Sequence, residues 1–185
     1  MSGRHEAGHT VTVRMPTKTD RDAAEAIFAG PMTRNLSDAG LGSVERMEIQ
    51  QDDRGEPEDV ILTLRLVTRA ERALTRVETM LQDMDAPVGS TLCVDGSKED
   101  RSFGKSHGLG IYLLTAGITE DDRLDIVELC TDAMEGTGLY QGSAQIGDRT
   151  ALYFYGDSFN RMRAALTFVI THDPRCKYAI TRRLT

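Results

Sequence analysis

The hydrophobic and polar positions of the last fifty residues fall into a repeating order of elements. Residues 141–146 read as extended, and Gly147-Asp148 then reverses the chain between two extended runs, which is a hairpin signal. In 150–155 the alternation sets Ala151, Tyr153 and Tyr155 against Leu152 and Phe154, so this run predicts a central strand with one dry face and one partly covered face. Asp157 or Ser158 supplies an N-cap for a helix whose apolar stripe is Phe159, Met162, Leu166 and Val169. Asp173-Pro174 ends that helix, and 177–181, with Tyr178 and Ile180 in alternation, predicts a closing strand.

The first half carries the same order. Residues 40–50 align with 136–146, 60–66 with 150–156, and a helix over 69–84, with Ala73, Leu74, Val77, Met80 and Leu81 as its stripe, aligns with the Phe159 helix. Upstream, Val11-Thr-Val13 before Thr19 matches Ile111-Tyr-Leu113 before Thr119, each a strand followed by a Thr cap and an acidic first turn. Each half therefore reads β-α-β-β-α-β. The predicted fold is α+β, a tandem duplication of a ferredoxin-like βαββαβ unit, with antiparallel sheets and helices on one face. Residues 1–10 are expected to form an N-terminal arm, 11–96 the first unit, 97–107 a linker and 108–185 the second unit. Gly30-Pro31 predicts a kink or two short helices in the first helix of the first unit, because proline within a helix costs about 3 kcal/mol. The corresponding second-unit helix, about 120–135, has no such break, and its predicted stripe is Leu124, Val127, Cys130 and Met134.

Composition is that of a soluble globular chain, 39% apolar and 28% charged. No apolar run approaches a membrane span, and the first ten residues lack a signal-peptide pattern, so a cytoplasmic location without membrane contact is expected. Three cysteines without paired spacing suggest neither a disulfide framework nor a metal site. Charge is uneven: residues 1–96 hold 17 acidic and 11 basic side chains, residues 97–185 hold 12 and 11. The densest acidic stretch is the loop 52–59, with Asp52, Asp53, Glu56, Glu58 and Asp59, where the second half has only Gly147-Asp148. A negative field of this kind repels nucleic acid and attracts basic proteins.

Catalytic and cofactor motifs fail on context. His5-Glu6-Ala7-Gly8-His9 matches the zinc-protease letters, but a glycine interrupts it and a strand begins at once, so the helix that would align the two imidazoles is not expected. Gly104-Lys105-Ser106 lacks the glycine of a phosphate loop, and Gly136-Thr-Gly138 closes a helix where a dinucleotide fingerprint would open one. Asp121, Asp122 and Asp125 read as first-turn, solvent-facing acids. The sheet tyrosines lack the basic and aromatic pattern of RNA-recognition strands. No catalytic residue, metal ligand or cofactor is assigned.

The pattern Gly136-Thr-Gly138, Gly142-Ser-Ala-Gln-Ile-Gly147 and Leu152-Tyr-Phe-Tyr-Gly-Asp157, followed by the amphipathic helix, resembles small uncharacterised bacterial proteins of ferredoxin-like fold. Similar small acidic folds occur among immunity proteins that neutralise secreted toxins. That resemblance and the acidic loop together imply a non-enzymatic binding module whose partner is a basic protein, such as a toxin domain, docked on Asp52, Asp53, Glu56, Glu58 and Asp59. The alternative is a small-molecule-sensing regulatory protein, or an enzyme, with its site between the repeats or on the sheet face at Tyr112, Tyr140, Tyr153 and Tyr155. An exposed closing strand is also a place where two copies can pair as a homodimer.

Overall fold

The computed structural model describes residues 8–184. The first unit runs β1 (His9–Met15), α1 (Arg21–Ala24), a π turn (Glu25–Ala29), α2 (Gly30–Asp38), β2 (Gly42–Gln51), β3 (Pro57–Leu66), α3 (Glu71–Asp83), β4 (Ser90–Val94) and β5 (Asp100–Phe103). The second runs β6 (His107–Leu114), α4 (Glu120–Ala133), β7 (Leu139–Ile146), β8 (Arg149–Gly156), α5 (Phe159–His172), a 3-10 turn (Pro174–Cys176) and β9 (Ile180–Arg183). The sheets have strand orders β2-β3-β1-β4-β5 and β7-β8-β6-β9, antiparallel throughout. Apart from β5 the two orders are the same, and both are that of the split βαβ unit. The fold is α+β, a duplicated ferredoxin-like unit.

Each unit has its own core between sheet and helices. Val11, Val13, Leu62, Leu64 and Leu92 meet Phe28, Met32, Leu74, Val77 and Leu81 in the first. Leu109, Ile111, Leu152 and Phe154 meet Ile126, Cys130, Met162 and Leu166 in the second. Burial pushes the Cys130 thiol up to about 12 and the Cys176 thiol to about 11, so both remain protonated packing groups. No helix among the described residues is long and apolar enough to cross a membrane.

The irregularity expected at Gly30-Pro31 is a π turn between the two short helices α1 and α2: Gly30 N–H bonds to Glu25 C=O, five residues back, and this widened turn admits Pro31 at the start of α2. Three local readings are corrected. In α4 the buried positions are Ile126 and Cys130, followed by Met134 at the C-cap, while Leu124 is 51% exposed. Leu124 lies about 200° round the helix from Ile126. The rotation is fixed from both flanks, by Arg123 reaching Tyr140 and Ser143 and by Arg175 holding Asp122 and Asp125. The interval 97–107 is not a free linker. Its β5 extends the first sheet, Arg101 is tied to Glu71 and Glu78 of α3, and Gly104 (φ 98°) passes so close to Pro87 that a Cβ would lie 1.9 Å from its carbonyl oxygen. The closing strand begins only at Ile180, because Asp173 caps one further turn and Arg149 Nη1 holds the Tyr178 carbonyl at 3.0 Å. Of the expected arm, residues 1–7, and with them His5 and Glu6, lie outside the described residues; His9 and Thr10 belong to β1.

Replacing Leu166 with Ala should cost about 2–5 kcal/mol by opening the second core. Replacing Leu124 with Ala should change stability by less than about 0.5 kcal/mol. Urea denaturation of the two variants measures both.

Candidate functional site

The acidic loop and the tyrosine face, far apart in sequence, meet. Asp52 shapes the loop: its Oδ1 accepts from Arg54 N–H (2.8 Å) and Glu56 N–H (2.9 Å), and Gly55 supplies the positive φ of 80°. The turn aims Glu56 inward at the second sheet. There Glu56 Oε1 accepts from the Tyr112 hydroxyl (2.6 Å) and the Tyr153 hydroxyl (3.1 Å), and Oε2 lies 3.3 Å from Lys18 Nζ. Lys18 Nζ also donates to the Pro57 carbonyl at 3.1 Å, and Lys18 N–H donates to the Tyr155 hydroxyl at 2.8 Å. Every polar atom of this buried cluster faces a partner of opposite character, the condition under which a buried charge is tolerated.

The rings lie flat on their sheet because their neighbours are glycines. A Cβ on Gly108 would sit 2.8 Å from the Tyr155 ring, and one on Gly110 2.8 Å from the Tyr112 ring. Tyr112, Tyr153 and Tyr155 with Ala151 form a third apolar cluster between the two units. Burial, the largest cause, raises all three phenol pKa values, that of Tyr155 to about 12; proximity to Glu56 reinforces this for Tyr112 and Tyr153.

These contacts reassign the residues singled out from sequence. Glu56 is 8% exposed and turned into the joint, and Asp59, 3% exposed, is paired with Arg14 at 2.6 Å. Asp52 is engaged in its own turn, which leaves Asp53 and Glu58 as the exposed carboxylates of the loop. Of the tyrosines, 112, 153 and 155 are covered by the first unit. Tyr140 is on the opposite face, packed on Phe154 with ring centroids 5.5 Å apart. The tyrosine face is therefore no open ligand site, because the loop fills it. Among the described residues no group of three or more His, Cys, Asp or Glu side chains is placed to hold a metal ion.

An acidic surface with an apolar floor lies instead on α4. Residues 120–135 contain seven acidic side chains and one basic. Thr119 and Asp122 form a capping box, Glu120 pairs with Arg123, and Arg175 draws in Asp122 and Asp125. The cap and Arg175 hold the Asp122 carboxyl below its usual range. Asp121, Glu128, Asp132 and Glu135 are exposed and have no ion pair among the described residues. Asp125, Glu128, Asp132 and Arg175 surround Leu129, 44% exposed, in a shallow depression of about 280 Å³. The sequence signal for this face was the density of acids along one amphipathic segment, which the first-turn reading of Asp121, Asp122 and Asp125 takes in only in part.

No family model matches the chain, and no curated protein sequence matches it. Solved structures to which it is similar include an unknown protein from Galdieria sulphuraria (13% identity, 96% of each chain covered, TM-score 0.30). Others are the first two RRM domains of yeast poly(U) binding protein (9%, 95% of this chain and 99% of that one, TM-score 0.28) and the regulatory subunit of aspartate kinase from Thermus flavus (11%, 89% and 92%, TM-score 0.30). At these values no function carries across.

Replacing Glu56 with Ala leaves Lys18 and two phenols without their partner and should destabilise the protein by about 3–5 kcal/mol. Tyr153→Phe removes one hydrogen bond and should cost about 1 kcal/mol. A phenol with a raised folded-state pKa binds its proton more tightly in the fold, so its stabilisation is complete below the unfolded value near 10 and is lost as pH climbs toward the folded value, about 12 for Tyr155. Urea midpoints measured from pH 9 to pH 12 should therefore fall in the wild type, and less steeply in a Tyr112→Phe, Tyr153→Phe, Tyr155→Phe variant.

Proposed function

We propose that this protein is a non-enzymatic cytoplasmic binding module for a basic protein partner, making the kind of contact by which an immunity protein covers a toxin domain, and that α4 is its contact face. The observation carrying this reading is the Leu129 depression with its carboxylate rim. A lysine or arginine can lay its aliphatic stem on Leu129 and keep its charged head among Asp125, Glu128 and Asp132. Such a site combines the two requirements of fast and tight association, a steering field and an apolar anchor. The loop 52–59 meets neither as well, since two of its carboxylates are turned inward and it contains no exposed large apolar side chain of its own. The small-molecule alternative loses three of the four tyrosines on which it rested.

A Glu128→Lys, Asp132→Lys variant should keep the wild-type melting temperature and slow association roughly tenfold at low salt. Affinity capture from the native host at low and moderate salt, with captured proteins identified by mass, compares it with wild type. A basic protein held through moderate salt by wild type and released by the variant is the expected result. Equal retention by both would remove α4 from the contact, and capture of no basic protein by wild type would overturn the binding-module reading.

A further inference from the structure

β7 is an edge strand of the second sheet, and its outer edge faces the first unit. The two-residue turn Gly147-Asp148 joins Ile146 to its partner Arg149, so the main-chain groups of Ala144 and Ile146 point toward β8 and those of Ser143 and Gln145 point away from it. A bulge between Tyr140 and Gly142 turns Gln141 outward as well. The first unit has bonded part of this edge with side chains. Thr19 Oγ1 donates to Gln141 C=O, and Asp20 Oδ2 accepts from Ser143 N–H at 3.4 Å. These are the donor and the acceptor that a neighbouring strand would present to those two positions. Gly142, with a φ of 126°, is what lets Asp20 approach, since a Cβ there would lie 2.8 Å from Asp20 Oδ2.

The mimicry stops at Ser143 N–H. Ser143 C=O and both main-chain groups of Gln145 have no partner among the described residues. They border a cleft of about 470 Å³, walled on the other side by Ile49 and Gln51 of β2 and by Gly55 and Pro57. Across β7 a further hollow of about 360 Å³ shares Ser143, Ala144 and Gln145, so the free edge stands open on both faces. Arg21, which has no ion pair among the described residues, sits on the rim. We infer that the edge of β7 between Ser143 and Gln145 receives an extended segment of a partner polypeptide, which continues the ladder begun by Thr19 and Asp20 and sets an acidic side chain beside Arg21. Main-chain bonds supply the contact, and small side chains suit the Gly55 and Ala144 walls.

This inference is independent of the α4 face. The test is selection of a phage-displayed library of random dodecapeptides on the full chain, followed by fluorescence polarisation with the selected sequences as synthetic peptides. Binding should fall about tenfold or more when alternate peptide amides are N-methylated, and again with Gln145→Pro, which removes one outward N–H. Gln51→Trp, an exposed position on the far wall, should abolish binding by filling the cleft while leaving the β7 backbone intact. Glu128→Lys, Asp132→Lys should leave it unchanged. No enrichment over the Gln51→Trp protein, or peptides indifferent to both N-methylation and Gln145→Pro, would overturn the proposal, and peptides lost only with the α4 reversal would assign them to that face instead.

Discussion

One carboxylate sets the relation between the two halves of this molecule. Glu56 is carried across from the first unit and buried against Lys18, Tyr112 and Tyr153 of the joint. A buried carboxylate without partners is strongly unfavourable, and its partners here come from both units, so neither half satisfies its own polar groups alone. The phenols are in the same position: tyrosines on a sheet face need somewhere for their hydroxyls to bond, and the first unit provides it. The contact therefore selects one arrangement of the units more than it adds to stability.

The duplication explains how one unit came to seat on the other. Strand order is the same in both, but the sheet faces turned away from the helices differ in chemistry. In the first unit that face carries Thr12, Arg14, Thr63 and Arg65 and lies partly open to solvent. In the second it carries tyrosines, alanine and glycine, and it is covered. The hairpins differ in the complementary sense: the second unit closes its hairpin with two residues, while the first uses a longer acidic loop, and that added length reaches the tyrosines. Loop and face are two sides of one divergence.

The element order was legible because it rests on periodicity, and periodicity is a local property repeated twice. The stripes of α3 and α5 and the alternation in β8 followed directly from sequence. What sequence did not show was set by contacts between distant residues. Leu124 and Ile126 fit three-and-four spacing about equally well, and the contacts that fix which is buried come from distant residues, Arg123 with Tyr140 and Ser143 and Arg175 with Asp122 and Asp125. Residues 97–107 read as a linker because Asp100 and Arg101 look solvated, whereas Arg101 has its carboxylates on α3. The loop looked like a free acidic surface for the same reason. A carboxylate's sequence position gives its charge and not its direction, and the lysine and phenols that turn Glu56 inward lie 38 or more residues away.

The treatment of sheet edges gives the last step. Unpaired edges invite pairing, and proteins blunt them with charge, bulges, short strands or a cover. Here β2 carries bulges and charged side chains, β4 is covered by β5, itself four residues long, and β9 is four residues long with two arginines. On β7 the Thr19 and Asp20 side chains take the place of a strand over Gln141 and Ser143. The adjoining Ser143–Gln145 segment has none of these devices and opens onto two hollows. A chain that protects its other edges and leaves this one open beside a cleft has a geometric reason to meet another chain there. The first turn of α4 borders the same hollow through Glu120 and Arg123, whereas the Leu129 depression lies on the flank of α4 held by Arg175, so the open edge and the charged face are separate surfaces of the second unit.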